Sequence, residues 1–411
     1  MDILLKGIIH DILFAPSGLT YILYSYLNKS SRTRIKRWIQ ARSKSISKIE
    51  KADIIIHSSS LGETKNSLIF SELIREKLNT DSLKPHIAHT VFTETPFETF
   101  RNVHIIPTPL FSVLVKFIPD SLKLLIFYEK DIWPGYILSA KYKGSNIGIV
   151  SGKISKRSAE LYRKLRMREI FSYVDFVFSA GDEFTERFKY AGFKNVQTSI
   201  DLKNLIFIKN HNLPVDKAQK SKAIVGISLR GIEELEFLLK TKEILKDYTL
   251  FIAPRHNFEG IKKFMTEKGI DFISLTHISD DTLKSILSEG KSRIVLIDGY
   301  GMVDKVLPYA SFAFVGGTIL PFGGHNVLEP ISFGLPVVVG ENLWNIKEKN
   351  ELIESGVMFV VRSPGEFASI IKKGIDRVKI LGYVERKRSR AEQELDKIYR
   401  KIKEVLGTPC F

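Results

Sequence analysis

The chain has 411 residues, a formal net charge of +16, 44% hydrophobic and 11% aromatic residues, and one cysteine, Cys410. That length exceeds one ordinary core and sets two domains as the expectation, and the apolar share excludes a disordered chain. The lone cysteine excludes a disulfide framework and a cysteine-based zinc site, while the charge points to an anionic partner: nucleic acid, anionic lipid or a phosphorylated substrate.

The N-terminus is apolar at helical spacing: Ile3, Leu4, Leu5, Ile8, Ile9, Ile12, Leu13 and Phe14. Pro16 and Gly18 predict a break, followed by a second apolar patch from Leu19 to Leu27. No run of about twenty uninterrupted apolar residues occurs, which argues against a simple spanning helix. No small-residue cleavage site is evident, so the segment makes a poor secretory signal. Between Asp11 and Glu50 there is no acidic residue, but Lys29, Arg32, Arg34, Lys36, Arg37, Arg42, Lys44 and Lys48 follow the apolar stretch. An amphipathic segment beside a basic run suits the cytoplasmic face of an anionic membrane. One span, or packing within the fold, are the alternatives. The segment 1–45 is therefore set apart as a membrane-associated helical anchor.

From Ala52 the pattern alternates between strand and helix. Short apolar runs at 53–57, 86–92, 103–106, 122–128, 145–150 and 176–179 read as strands, with a helix over 64–78 after the first. A polar, basic linker over 209–222 follows, and the alternation restarts with strands at 223–227, 249–253, 271–275, 294–297, 312–315 and 336–339. Helices are expected at 233–246, 258–268, 303–309 and 326–333, and a charged terminal helix at 386–405. Short buried strands separated by helices imply an α/β class with parallel sheets covered on both faces. Two doubly wound, Rossmann-like domains are predicted, 46–208 and 223–385, with a cleft between them and ligands at strand C-termini. Residues 386–411 form a C-terminal helix.

Six segments carry candidate chemistry. HSSSLGET (57–64) places Glu63 at a helix start, where its carboxylate either takes a proton from a hydroxyl or merely complements the helix dipole. YEKDIWPGYI (128–137) brings Glu129 and Asp131 to a strand end, either as functional carboxylates or as caps, with Trp133 as core. SGKISKRSAELYRK (151–164) gathers Lys153, Ser155, Lys156, Arg157 and Arg163: loop cations for a phosphate with Ser155 as a cap, or a solvated helix face. APRH (253–256) directs Arg255 and His256 toward the same end as FVGGTILPFGGHNVLEP (314–330), and DGYG (298–301) ends another strand with Gly301. In the long glycine-rich stretch, Gly316, Gly317, Gly323 and Gly324 predict free backbone amides. Asn326 is a candidate cap for a helix whose N-terminus faces an anion, with His325, Asn326 and Glu329 supplying side chains. The alternative is an ordinary glycine-rich turn. The sequence holds no HExxH, no Walker loop and no GxSxG elbow.

Taken in order, these segments resemble the 3-deoxy-D-manno-octulosonic acid (Kdo) transferases of lipopolysaccharide synthesis, over about residues 1 to 375. The resemblance implies the two-domain GT-B fold and an inverting transfer of Kdo from CMP-Kdo to a lipid A precursor at the inner membrane. It implies Glu63 as general base. Arg255, His256, Gly301, Gly316, Gly317, Gly323, Gly324, His325, Asn326 and Glu329 fall on the CMP side. Glu129, Asp131, Lys153, Ser155, Arg157 and Lys203 fall on the acceptor or supporting side. CMP-Kdo is a substrate, and no cofactor or metal is implied. The chain departs from the family pattern at Ser151-Gly152-Lys153 where Asn-Ala-Arg is usual, and at Ile200-Asp201-Leu202-Lys203 where Gly-Asn-Leu-Lys is usual. It departs again at Asp131 for Glu, at Ser228-Leu229-Arg230 and at Gly301-Met302. The rival readings are a transferase of the same fold with another nucleotide sugar, and a lapsed homologue that only binds lipid. No nucleic-acid recognition module is visible, and the basic run lies beside an apolar anchor, so nucleic acid is not an expected partner.

Overall fold

The computed structural model describes residues 2–27, 36, 39, 40, 49–93, 100, 103–210, 221–288, 293–299 and 301–407, and the side chains of 17–27 lie outside that description. Apart from Lys36, the basic run falls outside it, as does most of the expected linker. The chain divides into two compact units, residues 1–205 with 391–411, and residues 206–390.

The first unit is built on seven parallel strands: β1 (Ile54–Ser58), β2 (Ile87–Val91), β3 (Val103–Ile105), β4 (Leu124–Tyr128), β5 (Asn146–Gly152), β6 (Phe176–Ser179) and β7 (Val196–Thr198). Their spatial order is β3-β2-β1-β4-β5-β6-β7. β1, β2 and β4 are buried at every residue, as a parallel sheet under helices on both faces requires. That is why they read as unbroken apolar runs rather than as alternation. Phe127, Tyr136, Ile137, Phe171 and Phe188 anchor the core beneath the sheet.

The second unit repeats the architecture with β8 (Ala223–Leu229), β9 (Thr249–Pro254), β10 (Ile273–Leu275), β11 (Ile294–Ile297), β12 (Phe312–Val315), β13 (Val337–Val339) and β14 (Met358–Val360). The order is β10-β11-β9-β8-β12-β13-β14, again with every pairing parallel. In each unit the direction of winding reverses once: between β1 and β4, and between β8 and β12. An open α/β sheet binds ligands outside the strand C-termini at such a reversal.

The twelve strands expected from sequence are present, with ends shifted by one or two residues. β7 and β14 were not expected. Both are three-residue edge strands: β7 (Val-Gln-Thr) carries a single apolar residue, whereas β14 (Met-Phe-Val) is apolar but too short to show a strand period. The terminal helix begins at Arg377 rather than 386, with the Asp376 carboxylate accepting from the Val378 amide at 3.0 Å.

The N-terminal helix corrects the sequence reading. It runs unbroken over Ile3–Leu27 with Pro16 inside it. An interior proline removes one helical hydrogen bond, but the preceding turns are fixed by tertiary bonds and so do not depend on local propensity. Asp11 accepts from the amides of Phe111 (2.8 Å) and Ser112 (2.9 Å), capping the helix Phe111–Phe117, whose own cap residue Leu110 offers no side-chain bond. Lys6 donates to Tyr173 at 2.6 Å and pairs with Glu169 at 2.7 Å. A Cβ on Gly7 would lie 2.3 Å from the Phe111 ring, so only glycine permits this approach. The helix therefore packs on the unit along one side and presents Leu4, Leu5, Ile8, Ile9, Ile12, Leu13 and Phe14 to the outside. Among the described residues no helix is long and apolar enough to cross a membrane.

Candidate functional site

Each winding reversal gathers chemistry. In the first unit, β1 leads into the helix Leu61–Thr80 and β4 into the left-handed Glu129 (φ +70°). Glu63 closes a capping box: its amide donates to Ser60 Oγ (3.3 Å), and its Oε2 accepts from the amides of Ser59 (3.2 Å) and Ser60 (3.4 Å). The helix-start placement holds, and the carboxylate does complement the helix end. Both amide bonds fall on Oε2, so Oε1 takes neither. Gly62 lies in the first turn of this helix.

Beside it stands a buried charge cluster. Lys153 Nζ lies 3.0 Å from Glu129 Oε1 and 2.7 Å from Asp201 Oδ2. Lys153 and Glu129 are 8% and 2% exposed, so the lysine, in the loop after β5, is buried against carboxylates and is not part of a solvated face. Burial pushes the Glu129 carboxyl up, and Lys153 counters it. Burial also opposes charge on Asp201 and Lys153. Their pairing outweighs it, holding Asp201 below its ordinary range and Lys153 above. Lys203 is exposed, but its charge reaches both Glu129 and Asp201, and the charge of Glu63 reaches Glu129. The structure thus brings Glu63, Glu129, Lys153 and Lys203 together and adds Asp201, which the sequence reading noted only as a departure. Lysine in place of the family's arginine and aspartate in place of its asparagine are partners in one ion pair.

Burial pushes the Asp131 carboxyl up, side-chain bonding to Trp133 and Ser59 opposes that, and its Oδ2 lies 4.0 Å from Nε2 of the fully buried His57. Burial pushes the His57 pKa down to about 3, so the imidazole is neutral. Neither acid caps the helix Pro134–Tyr142, which starts at Trp133 without a side-chain cap bond. Trp133 packs on the core, its ring 5.0 Å from Phe92. Ser155 is the expected cap, accepting from Ser158 at 3.0 Å, and Arg157 is exposed on the first turn.

In the second unit the glycine-rich loop follows β12, and it overturns the expectation of free amides. Glu234, fully buried, accepts from the amides of Gly317 (2.9 Å), Thr318 (3.0 Å), Ile319 (3.2 Å), Leu320 (3.4 Å) and Arg230 (2.9 Å). The nest binds an anion, but the anion is the chain's own. A carboxylate buried at a helix start needs this compensation, and the loop provides it. The Gly316 and Gly324 amides are also engaged, by Ile227 O and Gly317 O. A Cβ on Gly316 would meet Ser228 O at 2.6 Å and Glu234 Oε2 at 2.7 Å, so glycine here is a packing requirement. The helix beyond covers only Leu328–Ser332. The expected Asn326 cap is not formed: Val327 holds the cap position without a side-chain bond, and Asn326, one residue earlier, accepts from the Leu328 amide at 3.1 Å. Five residues carry little dipole, and no anion site is assigned to that end.

The cations of this unit lie on side chains instead. Arg230, at the end of β8, donates from Nε to His325 Nε2 at 2.8 Å and stacks over Phe322 at 5.0 Å. His325 therefore accepts at Nε2 and carries its proton on Nδ1. Burial, then Arg230, Arg255 and His256, push its pKa down to about 4. His256 is lowered by burial and by Arg255 and Arg230. Arg255, His256 and His325 are thus together, and Arg230 joins them. Its position at the winding reversal was the signal available in the sequence. Gly301 adopts φ +75°, Asp298 pairs with Lys262, and Tyr300 of the DGYG turn lies outside the described residues. Glu329 is half-buried on the first turn of the short helix.

Residues 30–206 match the family model described as 3-deoxy-D-manno-octulosonic-acid transferase (kdotransferase). The chain is 30% identical over 338 residues to the 3-deoxy-D-manno-octulosonic acid transferase of Aquifex aeolicus, covering 78% of this chain and 85% of that protein. The chain belongs to the Kdo transferase family. It is also 27% identical to a bifunctional glycosyltransferase/methyltransferase of Fusobacterium nucleatum, over 85% of this chain but only 58% of that protein's length. Among solved structures, the C-terminal CMP-Kdo binding domain of WaaA from Acinetobacter baumannii aligns at 20% identity over 46% of this chain and 97% of that one, with a TM-score of 0.33, and supports no conclusion beyond that. In this chain both charge clusters stand at the strand ends where a doubly wound sheet takes its ligands.

Proposed function

We propose that the protein moves Kdo from CMP-Kdo to a hydroxyl of a lipid A precursor, inverting the anomeric centre, at the cytoplasmic face of an inner membrane. Family membership supports the sugar transferred. The observation that carries the chemistry is the Glu63 carboxylate at the end of β1, oriented by two backbone amides through one oxygen only. In a single displacement the acceptor oxygen attacks the anomeric carbon while Glu63 takes its proton. The bond to the CMP phosphate oxygen breaks, its electron pair leaving with CMP. Arg255 and Arg230 supply positive charge for that phosphate, so this reading assigns the leaving group to side chains and not to a metal ion. The outward apolar row of the N-terminal helix and the basic run after it support attachment to an anionic surface.

The test is direct. The purified protein, given CMP-Kdo and a tetra-acylated lipid A precursor, is expected to yield a product heavier by the mass of transferred Kdo. Glu63→Gln should lower turnover on the order of 100-fold or more while CMP still raises the melting temperature. An unchanged acceptor mass with wild-type protein rejects the reading. Unaltered turnover in the variant removes Glu63 from the role.

A further inference from the structure

A second basic site lies in the first unit, away from the strand C-termini. The helix Lys156–Lys164 and the helix Asp182–Ala191 both end toward the opposite edge of the sheet, and their ends frame a cavity of about 510 Å³. Its wall carries Arg163, Arg166, Arg168, Lys189, Lys194 and Tyr190, and no acidic residue lines it. The Arg163 guanidinium stacks on the Tyr190 ring at 4.5 Å, which fixes one cation in place. Lys189 also pairs with Glu186 at 3.0 Å, outside the wall. Gly192, at φ +101°, lets the turn press on Arg168: a Cβ there would lie 2.8 Å from Arg168 Cγ.

Two features give this cavity a surrounding. Tyr190 in the wall is 49% exposed, and Leu161 and Leu165, on the segment that carries Arg163 and Arg166, are 50% and 51% exposed, so apolar surface stands among the cations. The one acidic residue between Leu161 and Val174 is Glu169, and it is neutralised by Lys6 of the N-terminal helix. The helix with the outward apolar row is thereby fastened one residue from the cavity wall.

We propose that the cavity seats the phosphate headgroup of an anionic membrane phospholipid, with Leu161, Leu165 and Tyr190 entering the interface beside it. Clustered guanidinium and ammonium groups match a phosphodiester, and exposed leucines and a tyrosine match the boundary between headgroups and acyl chains. This extends the membrane attachment proposed above and rests on it. It assigns the cavity to bulk lipid, at the sheet edge opposite Glu63.

The experiment uses the full chain and vesicles of phosphatidylcholine with or without phosphatidylglycerol. The variant Arg163→Gln/Arg166→Gln/Lys194→Gln is compared with Lys268→Gln/Lys372→Gln/Lys373→Gln, which removes the same charge from exposed positions of the second unit. Wild type should favour the phosphatidylglycerol vesicles. The cavity variant should lose affinity for them on the order of 100-fold, and the control only a few-fold, with both keeping the wild-type melting temperature. Equal losses overturn the cavity assignment while leaving membrane attachment intact. Absence of wild-type binding to either vesicle overturns both. If inorganic phosphate alone raises the wild-type melting temperature, fails to raise that of the cavity variant, and vesicle binding is the same in the two, the site takes soluble phosphate and the lipid assignment falls.

Discussion

Lys153 illustrates how little a residue's type says about its task. The sequence offered it as a loop cation for a phosphate. The fold turned it inward between Glu129 and Asp201, where a lone charge would be costly. Replacing it with methionine strips the buried Glu129 and the partly buried Asp201 of their direct cation partner, leaving only the more distant charge of Lys203. We expect Lys153→Met to destabilise the protein by about 3–5 kcal/mol near neutral pH. The sign with pH follows from the shifts. Asp201 sits below its ordinary range, so its contribution to stability is present above that range and is lost as pH falls through its folded value. Lys153 sits above its ordinary range, so its contribution is fully present below that range and lost only at strongly alkaline pH. The penalty of the variant should therefore shrink near pH 4, where protonation neutralises the carboxylates it strands. Urea unfolding at the two pH values measures this, and an equal penalty at both contradicts the ion-pair account.

Among elements, the loop after β12 shows the largest change of meaning. Its glycines are needed, but for packing and for wrapping a carboxylate. Glu234 shapes the loop that carries Phe322 and His325, and through them the neighbourhood of Arg230. Glu234→Gln turns an amide group toward backbone N–H donors and leaves some of them buried without an acceptor. The expected loss is about 3 kcal/mol, with a smaller CMP-induced rise in melting temperature than wild type. Stability equal to wild type in chemical denaturation would show that the loop holds its shape without the clamp. The N-terminal helix makes a related point: Asp11 caps a different helix, so an apolar segment with a single acid becomes an integral part of the unit on one side and an apolar surface on the other.

For the whole molecule, each unit has its own seven-stranded sheet and its own core. The second unit, 206–390, is one continuous segment, and it holds Arg230, Arg255, His256 and His325. Expressed alone, it should melt cooperatively, and CMP should raise its melting temperature, because the proposed nucleotide contacts all lie within it. A broad, non-cooperative melt would mean that this segment does not hold its fold unaided, and a cooperative melt unmoved by CMP would remove the nucleotide from this unit.

Twelve buried or half-buried strands, the capping Ser155 and the placement of Glu63 at a helix start were legible because each is a local pattern: an apolar run, a hydroxyl before a helix, an acid on its first turn. β7 and β14 were not: β7 exposes two of its three residues, and the three residues of β14 are too few to show a period, although the equally short edge strands β3 and β10 were read. Nor was the occupant of the glycine nest. Glu234 lies 83 residues before Gly317 in sequence, and only the pairing of β8 with β12 brings the helix start and the loop together. The order of residues determined which segments become strands and which carry charge. The tertiary structure decided which charges cancel in the interior and which stay open to a ligand, because burial, which sets the cost of an unpaired charge, exists only once distant segments have packed.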